Sequence, residues 1–228
     1  MHANSRPVTS NQAGIHEQLY ALIERHANSC YLRPIAMHSR QTFKSAIAVW
    51  QAAGSAPLII DSGCGVGLST RKLAQHHSDS FVIGIDQSAD RLARELRWEG
   101  ELPANHLLVR ADLVDFWRMM LDAGIYPSRH YLLYPNPWPK KSQLARRWHG
   151  HPVFPTLLAL GGRIECRSNW KTYIEEFASA ATQLTGVPVQ CESFLPEADA
   201  LTPFEEKYRA SGHALWHCRL ELPAGTAR

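Results

Sequence analysis

The sequence predicts an α/β domain with a mostly parallel sheet and helices on both faces. Three observations predict it. Short apolar runs alternate with helical stretches from residue 58 to residue 184. A loop with three spaced glycines follows the first of those runs. Carboxylates stand at the ends of successive runs, where an open α/β sheet binds its ligands.

Each element has its own signal. Residues 1 to about 14 are polar and read as a flexible tail. Ile15, Leu19, Leu22 and Ile23 then recur at helical spacing, and a second helical segment covers roughly 42 to 53 and ends at Gly54. "LIID" (58–61) is a buried strand, "LSTRKLAQHH" a helix, "FVIGID" (81–86) a second strand and "SADRLARELRWEG" a second helix of the alternating unit. "HLLV" (106–109), "DLVDFWRMMLDAG" and "RHYLLY" (129–134) continue the alternation. A helix near 152–160, the strand "GGRIECRS" and the helix "WKTYIEEFASAATQL" follow. "VPVQCES" and "ALWHCRLEL" alternate as late strands with a short helix between them, which predicts an antiparallel edge. The domain organisation expected is a tail over 1–14, a helical segment over 15–55 and the α/β domain over 56–228.

Composition narrows the class. Charged residues make up 20% and hydrophobic ones 45% of 228, an ordinary soluble balance. A net charge of +3 permits a polyanionic partner without requiring one. The five cysteines include no C-x-x-C pair, which argues against a disulfide framework or a zinc knuckle. Neither a secretory leader nor an apolar run long enough to span a membrane is present, so a cytoplasmic protein without membrane or metal is expected. His149 and His151 lack a carboxylate or cysteine at ligand spacing, and a surface loop is the expectation there. Cys64 lacks a base partner and reads as a small loop filler.

The glycine loop "DSGCGVG" holds Asp61, Gly63, Gly65 and Gly67. It is not a dinucleotide fingerprint, because Leu68 or Thr70 stands where the last glycine should be. The D-x-G-x-G-x-G spacing resembles the loop of S-adenosylmethionine (SAM) methyltransferases. Asp61 can attract the ammonium of that cofactor, directly or through water. Asp86, with Gln87 beside it, ends the second strand and can accept ribose hydroxyls. Asp112 ends the third strand and can accept from an adenine amino group, although it is equally a helix N-cap.

The fourth strand runs into "YPNPWPKK", residues 134 to 141. Three prolines in five residues exclude a helix or a central strand there. Asn136 offers an acceptor and a donor, and Trp138 a flat face for a base. Lys140, Lys141, Arg146 and Arg147 follow and could grip phosphates.

From "YPNPWPKKSQLARRW" through "GGRIECRSNWKTY" to "TPFEEKY" (202–208), the chain resembles the bacterial tRNA (guanine-N7-)-methyltransferase family. That family carries a P-D-P-W-x-K turn, a K/R-R-R run, a G-G strand, T-D-x-x-x-Y and T-x-[FY]-E. The resemblance covers roughly 56 to 222. It implies a Rossmann-like class I SAM-methyltransferase fold, with seven strands and only the last antiparallel. It also implies methyl transfer to N7 of a guanine in the variable loop of tRNA. Cofactor contacts carry over to Asp61, Asp86, Asp112 and Asn136. RNA-side contacts carry over to Lys140, Asn169, and Thr202 with Phe204 and Glu205. Thr202-Pro203-Phe204-Glu205 is also a capping box with proline at the first helical position. The chain departs from the family twice, with asparagine at 136 and at 169 where the family has aspartate. An asparagine amide would oppose a donor on the guanine edge, so base recognition is where the departure bears.

Two other readings stay open from the residues. "NPW" partly resembles the N-P-P-[YFW] turn of enzymes that methylate an adenine or glutamine amine, though the second adjacent proline is missing. A SAM- or RNA-binding module without catalysis is the other. A monomer is the default oligomeric state, with a homodimer open.

Overall fold

The computed structural model describes residues 5–94, 100–195 and 199–225. Seven strands form one sheet in the order β3-β2-β1-β4-β5-β7-β6. They are β1 (Leu58–Ser62), β2 (Phe81–Asp86), β3 (His106–Arg110), β4 (Arg129–Leu133), β5 (Gly162–Ser168), β6 (Glu192–Phe194) and β7 (Leu215–Leu222). β1 pairs in parallel with β2 and β4, β2 with β3, and β4 with β5. β7 inserts antiparallel between β5 and β6, as the sequence predicts for the last strand. β1 and β2 are buried at every position, because helices cover both of their faces.

The helices are α1 (Leu19–Ala27), α2 (Met37–Ala52), α3 (Leu68–His76), α4 (Ala89–Leu92), α5 (Leu113–Asp122), α6 (Phe154–Ala159), α7 (Lys171–Thr185) and α8 (Pro203–Ala210). The larger core packs Leu58, Ile60 and Ile83 of the sheet against Trp117 of α5, Phe154 of α6 and Phe177 of α7. The smaller core lies on the other face, where Ile59, Val82, Tyr131 and Leu133 meet Leu73 of α3 and Leu201. The strand alternation splits the sheet's side chains between these two cores.

Several boundaries differ from expectation. α1 begins at Leu19 and α2 begins at Met37, well before the predicted 42. β6 keeps only Glu192 and Ser193 of the predicted 187–193 run and extends to Phe194. Of the helix predicted over 88–100, α4 accounts for Ala89–Leu92, and residues 95–99 lie outside the described residues. Residues 5–14 are not a free tail. Gln12 is buried and bonds Glu176 of α7, and Ser10 donates to the carbonyl of Pro139.

Candidate active site

The glycine loop joins β1 to α3. Gly63, Gly65 and Gly67 all have positive φ, the left-handed region that suits glycine. At Gly67, the residue before α3, a side chain would also collide with Leu108 of β3, 2.5 Å from an added Cβ. The loop is closed from below by β2: the amides of Gly63 and Cys64 both bond the carbonyl of Ile85.

Asp61 sits buried under this loop. Its Oδ2 accepts from the hydroxyls of Ser69 (2.6 Å) and Thr70 (2.7 Å) on α3, and its Oδ1 has no partner. Burial pushes its carboxyl up to about 6 against the pull of those two hydroxyls. A carboxylate left half-satisfied at the head of a glycine loop fits a cationic ligand group there.

Asp86 clamps the loop rather than opening into solvent. Its Oδ2 accepts from the Gly65 amide and from Arg91, each at 3.0 Å, and its Oδ1 accepts from Ser88 at 2.8 Å. A carboxylate has about four acceptor positions, so a diol must take the one remaining or displace the half-exposed Arg91. Asp112 does cap α5, accepting from Val114 at 2.8 Å, and its other oxygen holds Arg33 at 2.9 Å.

Gln87 and Asp112 meet in a pocket of about 440 Å³ at the carboxyl ends of β2 and β3, with Arg110 and Ala111. The N-terminal segment supplies its opposite wall through Arg33, Pro34 and His38. Arg33 is fixed by Asp115 of α5 at 2.7 Å as well as by Asp112. Sequence reasoning missed this wall, since nothing local to residues 33–38 marks them as part of a site.

β4 delivers the proline turn. Tyr134 and Trp138 both adopt positive φ, of 54° and 44°, a costly backbone for bulky residues and one concentrated at functional sites. Asn136 is exposed, and its Oδ1 accepts from the Trp138 amide at 3.4 Å. Arg146 lies over the Trp138 ring at 4.8 Å, so one ring face is already covered. Lys140, Lys141 and Arg146 are exposed around the turn.

Arg147 corrects the expectation of a phosphate-gripping side chain. It is wholly buried, ion-paired to Glu176 and bonded to the backbone of the proline turn. His149 is likewise buried against Glu176, not on a surface loop.

Asn169 leaves β5 one residue after its end, beside the turn that leaves β4, and its amide lies 3.2 Å from His213 Nδ1. Thr202 caps α8, accepting from the Glu205 amide at 2.9 Å. Glu205 is buried and holds Tyr134 and Arg167, whereas Phe204 is about half exposed. Of the predicted motif 202–205, then, Pro203 and Phe204 are open to a large partner, whereas Thr202 and Glu205 are buried. Burial pushes the Cys64 thiol up, which leaves it inert as a nucleophile. Among the described residues no three His, Cys, Asp or Glu side chains group as a metal would need. No helix among them is long and apolar enough to cross a membrane.

A seven-stranded sheet of this order, with its one antiparallel strand and a glycine loop after β1, is the Rossmann-like fold of class I methyltransferases. Solved structures agree on that fold. The antibiotic-resistance methyltransferase Kmr superposes with a TM-score of 0.50 at 21% identity, over 81% of this chain and 94% of that one. The 16S rRNA methyltransferase KamB does so with a TM-score of 0.50 at 17% identity, over 77% and 94%. The chain belongs to the putative methyltransferase family, whose model matches residues 55–218.

Sequence relatives carry a narrower name. Proteins called tRNA (guanine-N(7)-)-methyltransferase include one from Acidovorax sp. (strain JS42), 27% identical over 71% of this chain and 66% of its own length. Another, from Ralstonia pickettii (strain 12J), is 26% identical over 73% and 68%. A third, from Burkholderia ambifaria, is 26% identical over 80% and 74%. The chain thus spans about two thirds of the length of the first two.

Proposed function

We propose that this chain transfers a methyl group from S-adenosylmethionine to N7 of a guanine in tRNA, in the variable loop. The observation that carries the reading is the meeting of three sequence-distant parts at one sheet edge. These are the glycine loop over Asp61, the proline turn after β4, and the Tyr134–Glu205 bond that brings the capping motif of α8 to that turn. The names of the sequence relatives supply the substrate.

The cofactor, when bound, supplies an electrophilic methyl group on a positively charged sulfur. Asp61, whose Oδ1 has no partner, would hold the ammonium of its amino-acid end. Asp86 would hold the ribose, and Gln87 and Asp112 the adenine in the pocket walled by Arg33. Guanine N7 has an in-plane lone pair and needs no deprotonation, so the acceptor side needs alignment more than a general base. That requirement suits a chain with Asn136 and Asn169 in place of two carboxylates. Asn136 borders the acceptor, and Trp138 presents the ring face that Arg146 leaves free. Lys140, Lys141 and Arg146 meet RNA phosphates, with Asn169 and Phe204 on the far side of the acceptor. The chain is read as cytoplasmic, and as a monomer by default with a homodimer open.

The test is incubation with labelled SAM and unmodified tRNA, with a 16S rRNA fragment as the competing substrate. Label in tRNA alone supports the reading. Label in rRNA alone, or in neither, overturns it.

A further inference from the structure

The side chains of Arg147, Glu176, His149 and Gln12 form a buried polar cluster behind the proline turn. Arg147 Nε donates to the carbonyl of Trp138 at 3.1 Å, and Nη2 donates to the carbonyl of Lys140 at 3.4 Å. Nη1 binds Glu176 Oε2, and Nη2 also reaches Gln12 Oε1 at 3.1 Å. The guanidinium lies over the Trp170 ring at 4.9 Å. Glu176 Oε2 also accepts from His149 Nε2 at 2.8 Å. Its Oε1 accepts from Gln12 Nε2 and from the His16 amide at 2.9 Å. Burial opposes ionisation of Glu176, but His149 and Arg147 hold its carboxyl down to about 2.

The turn needs such an outside hold. Pro135, Pro137 and Pro139 bring no N–H, so the turn cannot bond itself into shape. Its one internal bond is the 3.4 Å contact from the Trp138 amide to Asn136. Trp138 nevertheless sits at positive φ, a conformation that persists only when its surroundings over-determine it. The planar guanidinium meets two turn carbonyls on either side of Pro139 from one rigid fork. The N-terminal segment closes the arrangement: Gln12 bonds both partners of the pair, and Ser10 Oγ donates to Pro139 O at 2.6 Å.

We infer that the Arg147–Glu176 pair, latched by Gln12, is a positioning device that sets the acceptor turn against the cofactor site. This rests on the acceptor role proposed for Asn136 and Trp138. Arg147 touches neither substrate nor cofactor. The N-terminal strap, nearly 130 residues away in sequence, thereby becomes part of the acceptor geometry.

The test uses Gln12→Met, which keeps length and loses the hydrogen bonds, with Gln12→Glu and Arg147→Lys beside it, all in the full chain. Single-turnover methyl transfer is measured at saturating SAM and tRNA. The expected result for Gln12→Met is a rate at least ~10-fold lower, with both dissociation constants within about twofold of wild type. A lowered melting temperature with an unchanged single-turnover rate overturns the inference, since a merely structural cluster gives that result. A second readout does not need activity. With 5-fluorotryptophan incorporated and Trp138 assigned through Trp138→Phe, Gln12→Met should shift or split the Trp138 fluorine resonance and leave that of Trp50 in place. An unmoved Trp138 resonance overturns the inference even if wild type methylates no tRNA, an outcome that sinks the substrate reading alone.

Discussion

Tyr134 donates its hydroxyl to Glu205 at 2.9 Å, tying the end of β4 to the cap of α8 across 71 positions of sequence. Burial and the Glu205 carboxylate keep the phenol protonated, so it is the donor. Arg167 of β5 holds the same carboxylate at 3.1 and 3.3 Å. Replacing Glu205 by alanine takes the acceptor from the Tyr134 hydroxyl and one of two carboxylates from Arg167, which keeps Glu165 at 2.7 Å, and should cost ~1–3 kcal/mol of stability. Glu205→Gln keeps an acceptor for Tyr134 and should cost clearly less. Urea unfolding of the two variants checks the order, and equal losses would show that the carboxylate charge does not matter.

Asp61 gives a pH signature. Its folded carboxyl is raised to about 6 from an ordinary 3.8, so the cofactor-free fold is favoured by the protonated form. That contribution is present below about pH 4 and is lost as pH rises through 6. A shift of this size corresponds to ~3 kcal/mol. Asp61→Asn should therefore melt at or above wild type at pH 7.5, lose that advantage at pH 4, and bind SAM weakly at both. Wild-type SAM affinity should fall as pH drops through 6, because the ionised form is the one that meets a cation. Melting curves and calorimetric titration over that range are the check.

His130 works in the opposite sense. It lies buried between Ser62, 2.7 Å from its Nε2, and the Trp117 ring, and burial holds it down to about 3. Its folded value is depressed, so its contribution is present above about pH 6.5 and is lost as pH falls toward 3. The full loss would be roughly 3–5 kcal/mol. His130→Phe should flatten the stability profile between pH 6.5 and 4. A slope equal to wild type would assign acid sensitivity elsewhere.

Most of the scaffold was legible in the sequence. The alternation from Leu58 to Leu184 and the three glycines point to the mostly parallel sheet and the loop, because strand periodicity and positive φ leave local marks; the strand order left none. Asp86 at the end of β2 was legible as a position but not as a clamp on Gly65, which needs the loop folded back. Arg147 was misread for a physical reason. An arginine beside other basic residues looks solvated, and only Glu176, 29 residues on, makes its burial tolerable. The N-terminal strap was invisible because Gln12 and Arg33 act through partners more than 75 residues away.

Asp86→Ala should abolish measurable SAM binding, since it removes the proposed ribose acceptor and frees the Gly65 amide. Calorimetry shows this directly, and an unchanged affinity would mean that the ribose lies elsewhere.

Asn136→Asp probes the acceptor role proposed for that residue. Its carboxylate-for-amide exchange puts an acceptor-only group toward a guanine edge. The expected outcome is faster methylation of tRNA guanine in steady-state assays, by about tenfold or less. A loss of activity would give the amide a role of its own.

The central claim is methyl transfer to guanine N7 of tRNA. Unmodified tRNA treated with the protein and SAM, digested to nucleosides and analysed by mass spectrometry, tests it most directly. The account predicts 7-methylguanosine, absent when Asp86→Ala replaces the wild type. A methylated adenosine, or no methylated nucleoside from protein that still binds SAM, would contradict it.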